Sequence, residues 1–265
     1  MPARTITITS GKGGVGKTTL TANLAVALAS RGQRVIAIDA DIGLRNLDVV
    51  MGLENRIVYD LVDVVEGTCR LRQAMIRDKR MESLYLLPAA QKRDKTAVTP
   101  DDMRALIDQL HRDFDFILVD SPAGIEQGFQ NAIAGVSEVI IVTTPEVSAV
   151  RDADRIIGLV EAAEKDPPRL VINRIKPAMV KQGDMLSTED VIEVLAINLL
   201  GIVPDDEEII VSTNRGAPAA YDGTSPAGRA FHNIARRVMG ENVPFLDLDS
   251  KPGMFNRILS WFRSG

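Results

Sequence analysis

The chain is poor in the residues that build covalent or metal scaffolds. Cys69 is its one cysteine, and His111 and His232 are its only histidines. A disulfide framework is excluded, and so is a cysteine-rich zinc or iron–sulfur site built within one chain. An all-histidine metal centre is equally unsupported. Aromatics are scarce: seven Phe, three Tyr and one Trp. No apolar run approaches the ~18 residues that a membrane-spanning helix needs, and MPARTITITSGKGG shows no apolar core of a secretory signal. No charge sign dominates. The 31 Lys+Arg against 36 Asp+Glu leave −5, which argues against a general nucleic-acid binder, and none is expected as a partner.

Present instead are 265 residues with 45% apolar and 25% charged side chains, ordinary for a globular protein with one sizeable core. Short β-branched runs recur at Thr5–Ile8, Val35–Ile38, Leu84–Leu87, Phe116–Val119, Val139–Val142, Leu170–Ile172 and Leu199–Val203. They are apolar almost throughout, as strands buried on both faces are. Helical patterns lie between them at Thr18–Ser30, Asp101–Arg112 (after Thr99 and Pro100), Ser148–Glu164, Thr188–Ala196 and Ala227–Met239. The alternation predicts an α/β fold over residues 1–240: a doubly wound, mainly parallel sheet of about seven or eight strands with helices on both faces. Residues 241–250, with Pro244 and the acids Glu241, Asp247 and Asp249, read as an acidic tether, and 251–265 as a separate unit.

The first strand runs into Gly11-Lys12-Gly13-Gly14-Val15-Gly16-Lys17-Thr18-Thr19. Two motifs overlap here: G-x-x-x-x-G-K-[ST], the phosphate-binding P-loop, and G-x-G-x-x-G, the dinucleotide fingerprint. Both place an anion at a helix N-terminus. The pair after the last glycine separates them. Lys17 offers a point charge to β- and γ-phosphates and Thr18 a hydroxyl to Mg²⁺, neither of which a bridging pyrophosphate needs. The P-loop reading is therefore preferred over a nicotinamide-dependent oxidoreductase. Lys12 adds a second ammonium inside the loop, able to reach phosphates of its own site or of a facing copy.

Three acids close apolar strands. Alternation puts Asp39 and Asp41 on one side of the strand end, where ligands of open α/β sheets gather. Asp39 suits a Mg²⁺-bound water and Asp41 a water to be activated. Asp120, at the end of Phe116–Val119, reads as a Walker B acid holding Mg²⁺, with Gly124 after it. No nucleophile with a nearby base is evident, and phosphoryl transfer to water needs positioning and charge more than covalent help. Asn173, Arg174, Pro204 and Asp205, at the ends of two late strands, are candidates for the base pocket.

Lys12 with Lys17 in KGGxGKT resembles the MinD/ParA class of deviant Walker A ATPases. DIGLRNLD (Asp41–Asp48), DSPAGIE (Asp120–Glu126), PEVSAVRDADR (Pro145–Arg155) and GDMLS (Gly183–Ser187) narrow the likeness to the MinD family across essentially the whole chain. The resemblance implies an ATP-dependent homodimer that binds the inner membrane peripherally from the cytoplasm. It implies recruitment of the septum inhibitor MinC, and release when MinE stimulates hydrolysis. It implies that Lys12 reaches across the dimer, that Asp41 positions the attacking water, and that Asp152 lies on a dimer or partner surface. A flagellar-number relative and a ParA-type DNA-partition ATPase are the alternatives.

On a helical wheel of residues 252–263, Met254, Phe255, Ile258, Leu259, Trp261 and Phe262 share an arc of about 160°. Lys251, Arg257 and Arg263 carry positive charge with no side-chain acid among them. This pattern predicts an interfacial helix on anionic lipid. Partial burial of six apolar side chains roughly offsets the ~1 kcal/mol per residue of ordering. Each cation then adds about 1 kcal/mol on an anionic leaflet. One such helix binds marginally, and two on one dimer bind through effective concentration.

Overall fold

The computed structural model describes residues 3–246. The expected interfacial helix, with Phe255, Ile258, Leu259, Trp261 and Phe262, lies outside the described residues. Eight strands form one sheet: β1 (Arg4–Thr9), β2 (Val35–Asp39), β3 (Ile76–Arg77), β4 (Leu84–Leu87), β5 (Phe116–Asp120), β6 (Glu138–Thr143), β7 (Arg169–Ile175) and β8 (Asn198–Pro204). Their spatial order is β3-β4-β2-β5-β1-β6-β7-β8. Every pairing is parallel except β3 with β4. β3 was not anticipated, because two residues carry no readable pattern.

Period-2 alternation divides the strands between two cores. Phe116 and Leu118 of β5 join Val35, Ala37, Leu84 and Leu86 on one face. Ile117 and Val119 join Ile36, Ile38, Ile141 and Ile172 on the other. The helix Lys17–Ala29 is buried along nearly its whole length beside the helix Pro226–Val238. On the second face Val150, Ala153, Ile156, Ile157 and Val160 of the helix Val147–Ala162 are buried, the stripe that its periodicity announced. The helix Pro100–Leu110 starts from a capping box in which Thr99 accepts from Asp102 N–H, with Pro100 in the first turn. Short helices such as Leu47–Met51, Gln127–Ala134 and Glu208–Asn214 escaped the pattern reading, since one or two turns hold too few apolar repeats.

The acidic segment departs from a free tether over the part that is described. The Glu241 carboxylate accepts from Arg31 Nη2 at 2.6 Å and Arg236 Nε at 2.7 Å. Val243 is buried and Leu246 packs on the first core. Ion pairing makes this tether acid a point of attachment.

Candidate nucleotide site

Consecutive parallel strands end side by side, which brings the P-loop, Asp39 and Asp120 together: Ile8 is level with Asp120, and Asp39 with Asp120. Gly16 ends the loop with φ 102, the left-handed region that suits glycine, and serves as N-cap of the helix Lys17–Ala29. A Cβ there would overlap the amide of Asn173. No side chain caps this helix and its first turn carries no acid, so its free N–H groups and dipole suit an anion.

Lys17 is 8% exposed. Burial lowers its pKa, while Asp120 and Asp41 favour its charge. Asp120 is 2% exposed. Burial pushes its pKa up to about 6, opposed by hydrogen bonds from Thr18 and Thr21 and by the Lys17 charge. The Thr21 hydroxyl reaches Asp120 Oδ1 at 3.1 Å. Thr21 was missed by the sequence reading. Its signal is the i, i+3 spacing to Thr18, which sets both hydroxyls on one face of the helix.

Asp39 is raised further, to about 8, by burial first and then by the charge of Asp120. Its oxygens accept the backbone N–H groups of Asp41 (2.9 Å), Asn46 (3.2 Å) and Leu47 (3.1 Å). It thus caps the DIGLRNLD turn as well as facing Asp120. Strand β2 ends at Asp39, so the alternation argument does not extend to Asp41. Asp41 is half-buried beyond the strand, its pKa raised by burial and held down by Lys17 and Lys95. Among the described residues no three His, Cys, Asp or Glu side chains converge as metal ligands. The donor set that is present, the Thr18 hydroxyl and the Asp120 carboxylate with the Asp39 carboxyl behind it, suits a hard divalent cation such as Mg²⁺.

Lys12, Gly13 and Gly14 are exposed, whereas Val15 is buried and anchors the loop. Asn173 Nδ2 donates to Val15 O at 2.7 Å, so its amide braces the P-loop with one N–H, leaving its carbonyl and second N–H for other partners. The Lys12 ammonium turns to the start of the helix Val147–Ala162, 3.2 Å from Ser148 Oγ and 3.5 Å from Glu146 Oε2. Gly11 lies so close to that helix that a Cβ would overlap the backbone of Asp152. The half-buried side chain of Asp152 points an oxygen toward Arg155 at 3.9 Å.

Beside the loop opens a cleft of ≈ 1050 Å³ whose walls include Thr19, Asn173, Arg174, Pro204 and Asp205. Arg174 has φ 59, at a register shift between Ile172 and Ile175 of β7. This bulge places an exposed guanidinium on the cleft wall. Lys176 and Asp205, 3.2 Å apart, form an ion pair on the rim.

A P-loop with a second lysine, a Walker B acid hydrogen-bonded to its threonine and an open cleft beside the loop make a candidate nucleotide site. Residues 6–219 match the CobQ/CobB/MinD/ParA nucleotide binding domain. The septum site-determining protein MinD of Bacillus subtilis is 56% identical over 97% of both chains. The chain belongs to the MinD family. As a member it is a P-loop ATPase. Two solved MinD-family structures match it. One, the MinC:MinD cell division protein complex of Aquifex aeolicus, is 49% identical with TM-score 0.85, covering 91% of this chain and 98% of that one. The other, MinD of Pyrococcus horikoshii complexed with Mg-ADP, is 33% identical with TM-score 0.80, covering 89% and 96%. The parallel sheet and P-loop domain described above thus share the MinD-family fold.

Proposed function

We propose that this chain is a Mg²⁺-dependent ATPase that closes into a homodimer on ATP. In that state it attaches to the inner membrane through residues 251–265 and recruits a MinC-type septum inhibitor. Hydrolysis, stimulated by a MinE-type partner, releases it. Lys17 and the loop N–H groups hold the phosphates. Thr18 and Asp120 hold Mg²⁺, with Asp39 completing the acidic wall. Asp41, half-buried beside Lys17, orients water. Bound there, Mg²⁺ supplies positive charge to the β- and γ-phosphates. The base sits in the cleft walled by Asn173, Arg174, Pro204 and Asp205. The solved MinC:MinD complex supports the inhibitor partner, and the Mg-ADP complex supports the cofactors.

One observation carries the dimer reading. Lys12 belongs to the phosphate loop, yet its side chain is 43% exposed and its ammonium rests on Glu146 and Ser148. A cation in this position is available to the phosphates of a facing copy. With a non-hydrolysable ATP analogue, gel filtration is expected to show a dimer, and mixed phosphatidylcholine–phosphatidylglycerol vesicles are expected to sediment it. Lys12→Ala should remove both. A monomeric elution with the analogue bound, or vesicle binding indifferent to nucleotide, would falsify the cycle. Retention on DNA in place of vesicles would favour a partition ATPase.

A further inference from the structure

Thr21 is a polar residue in an apolar setting. It lies on the helix Lys17–Ala29 between Leu20 and Ala22 and is fully buried. A buried hydroxyl costs free energy unless it is hydrogen-bonded, and alanine or valine would fill the same place without that cost. The Thr21 hydroxyl lies 3.0 Å from Lys17 O and 3.1 Å from Asp120 Oδ1. The first contact is one that any helical threonine can make with the carbonyl four residues back. The second crosses 99 positions of sequence to the end of β5. A hydroxyl has one proton to donate, so the two acceptors share it.

The two buried acids at the strand ends are held in different ways. Asp39 takes the backbone N–H groups of Asp41, Asn46 and Leu47. The hydrogen bonds to Asp120 come from the hydroxyls of Thr18 and Thr21. Thr18 is assigned to Mg²⁺, which leaves Thr21 as the donor devoted to the carboxylate. We infer that Thr21 is a positioning residue for ATP hydrolysis: its hydroxyl fixes the orientation of the Asp120 carboxylate and so readies it for the divalent cation. Thr21 acts through Asp120 and is not itself a ligand. The inference rests on the reading of Thr18 and Asp120 as the residues that hold Mg²⁺.

Removing a partner that orients a metal ligand typically costs about 10- to 100-fold in metal affinity. Thr21 shares the carboxylate with Thr18, which sets the expectation at the lower end, about tenfold. The cost should fall on the cation alone, because Lys17 and the loop N–H groups that meet the phosphates keep their own chemistry.

The test measures binding of a fluorescent ADP analogue to the full chain, once in excess Mg²⁺ and once in EDTA. Thr21→Ala and Thr21→Val should each bind about tenfold more weakly in Mg²⁺ and within about twofold of the unsubstituted chain in EDTA. Thr21→Ser keeps the hydroxyl and should keep the full advantage that Mg²⁺ confers. Phosphate release should follow the same order, lowered in the hydroxyl-free variants and retained in Thr21→Ser. Equal weakening in Mg²⁺ and in EDTA assigns Thr21 to the shape of the helix and overturns the inference. So does a loss in Thr21→Ser as large as in Thr21→Ala, which would make the methyl group the cause. Failure of both hydroxyl-free variants to fold, read by circular dichroism, assigns Thr21 to the core and overturns it too. Asp120→Asn is the control for the underlying reading: an unchanged Mg²⁺ advantage in that variant removes Asp120 from the cation site. If Asp120→Asn loses the advantage while Thr21→Ala keeps it, only the positioning role is wrong. In the Asp120→Asn background, Thr21→Ala should add less than about twofold, because the two act as one unit. A full tenfold cost there separates Thr21 from Asp120 and overturns the inference.

Discussion

The two halves of the sheet's carboxyl end are built on opposite plans. Under the P-loop, β1, β2 and β5 converge without irregularity, and Lys17, Asp39 and Asp120 are each less than a tenth exposed. Their charges are set against one another and against backbone N–H groups. Across β7 and β8 the register slips, Arg174 adopts φ 59, and an open cleft replaces the buried network. The contrast separates two tasks. Groups that meet developing charge are fixed beforehand in a low-dielectric setting, where they act most strongly. On the cleft side Arg174 and Asp205 are exposed while Asn173 and Pro204 are buried, a setting suited to binding rather than to charge stabilisation.

The strongest way to break that contrast is Lys17→Ala. Removing the buried cation should lower phosphate release by at least about 100-fold. An enzyme retaining more than about a tenth of its turnover would show that the buried side is not where charge is met.

A smaller effect is expected from pH. Asp39 keeps its proton in the folded chain up to about pH 8, against a usual value of 3.8. The folded state therefore binds a proton that the unfolded state releases, and stability declines as pH rises through this window. Between about pH 5 and about pH 8, the nucleotide-free chain should lose more melting temperature than its Asp39→Asn variant. Parallel curves for the two proteins would remove the buried pair as the cause. Mg²⁺ with nucleotide should flatten the slope, since a cation offsets the shared negative charge.

The smallest effect belongs to the open side. Arg174→Ala should raise KM for ATP about three- to tenfold and leave kcat within about twofold, the signature of uniform binding. A fall in kcat at constant KM would place Arg174 with the buried groups.

The same contrast governs what could be read in advance. The P-loop, the Walker B acid and both apolar strand ends were legible because each depends on residues adjacent in sequence. The seven longer strands were legible because burial on two faces leaves continuous apolar runs. Asn173 was chosen for the base, yet its amide holds Val15 O across 158 positions of sequence, a contact no local pattern encodes. The Lys12 contacts with Glu146 and Ser148 were invisible for the same reason. Asp39 looked like a simple metal acid until the following turn folded back to give it three N–H donors. Glu241 read as part of an acidic tether, yet Arg31, in the turn after the helix Lys17–Ala29, and Arg236, in the last described helix, both hold its carboxylate.

The two-residue strand β3, running against the direction of every other strand, has a consequence for crowding. A long, flat, unpaired margin is a template on which another polypeptide can lay down an extra strand. Here that margin offers two residues before the chain turns off, and Arg77, one of them, is exposed and cationic. Neighbouring copies gathered at high density thus find no ladder to extend from this side.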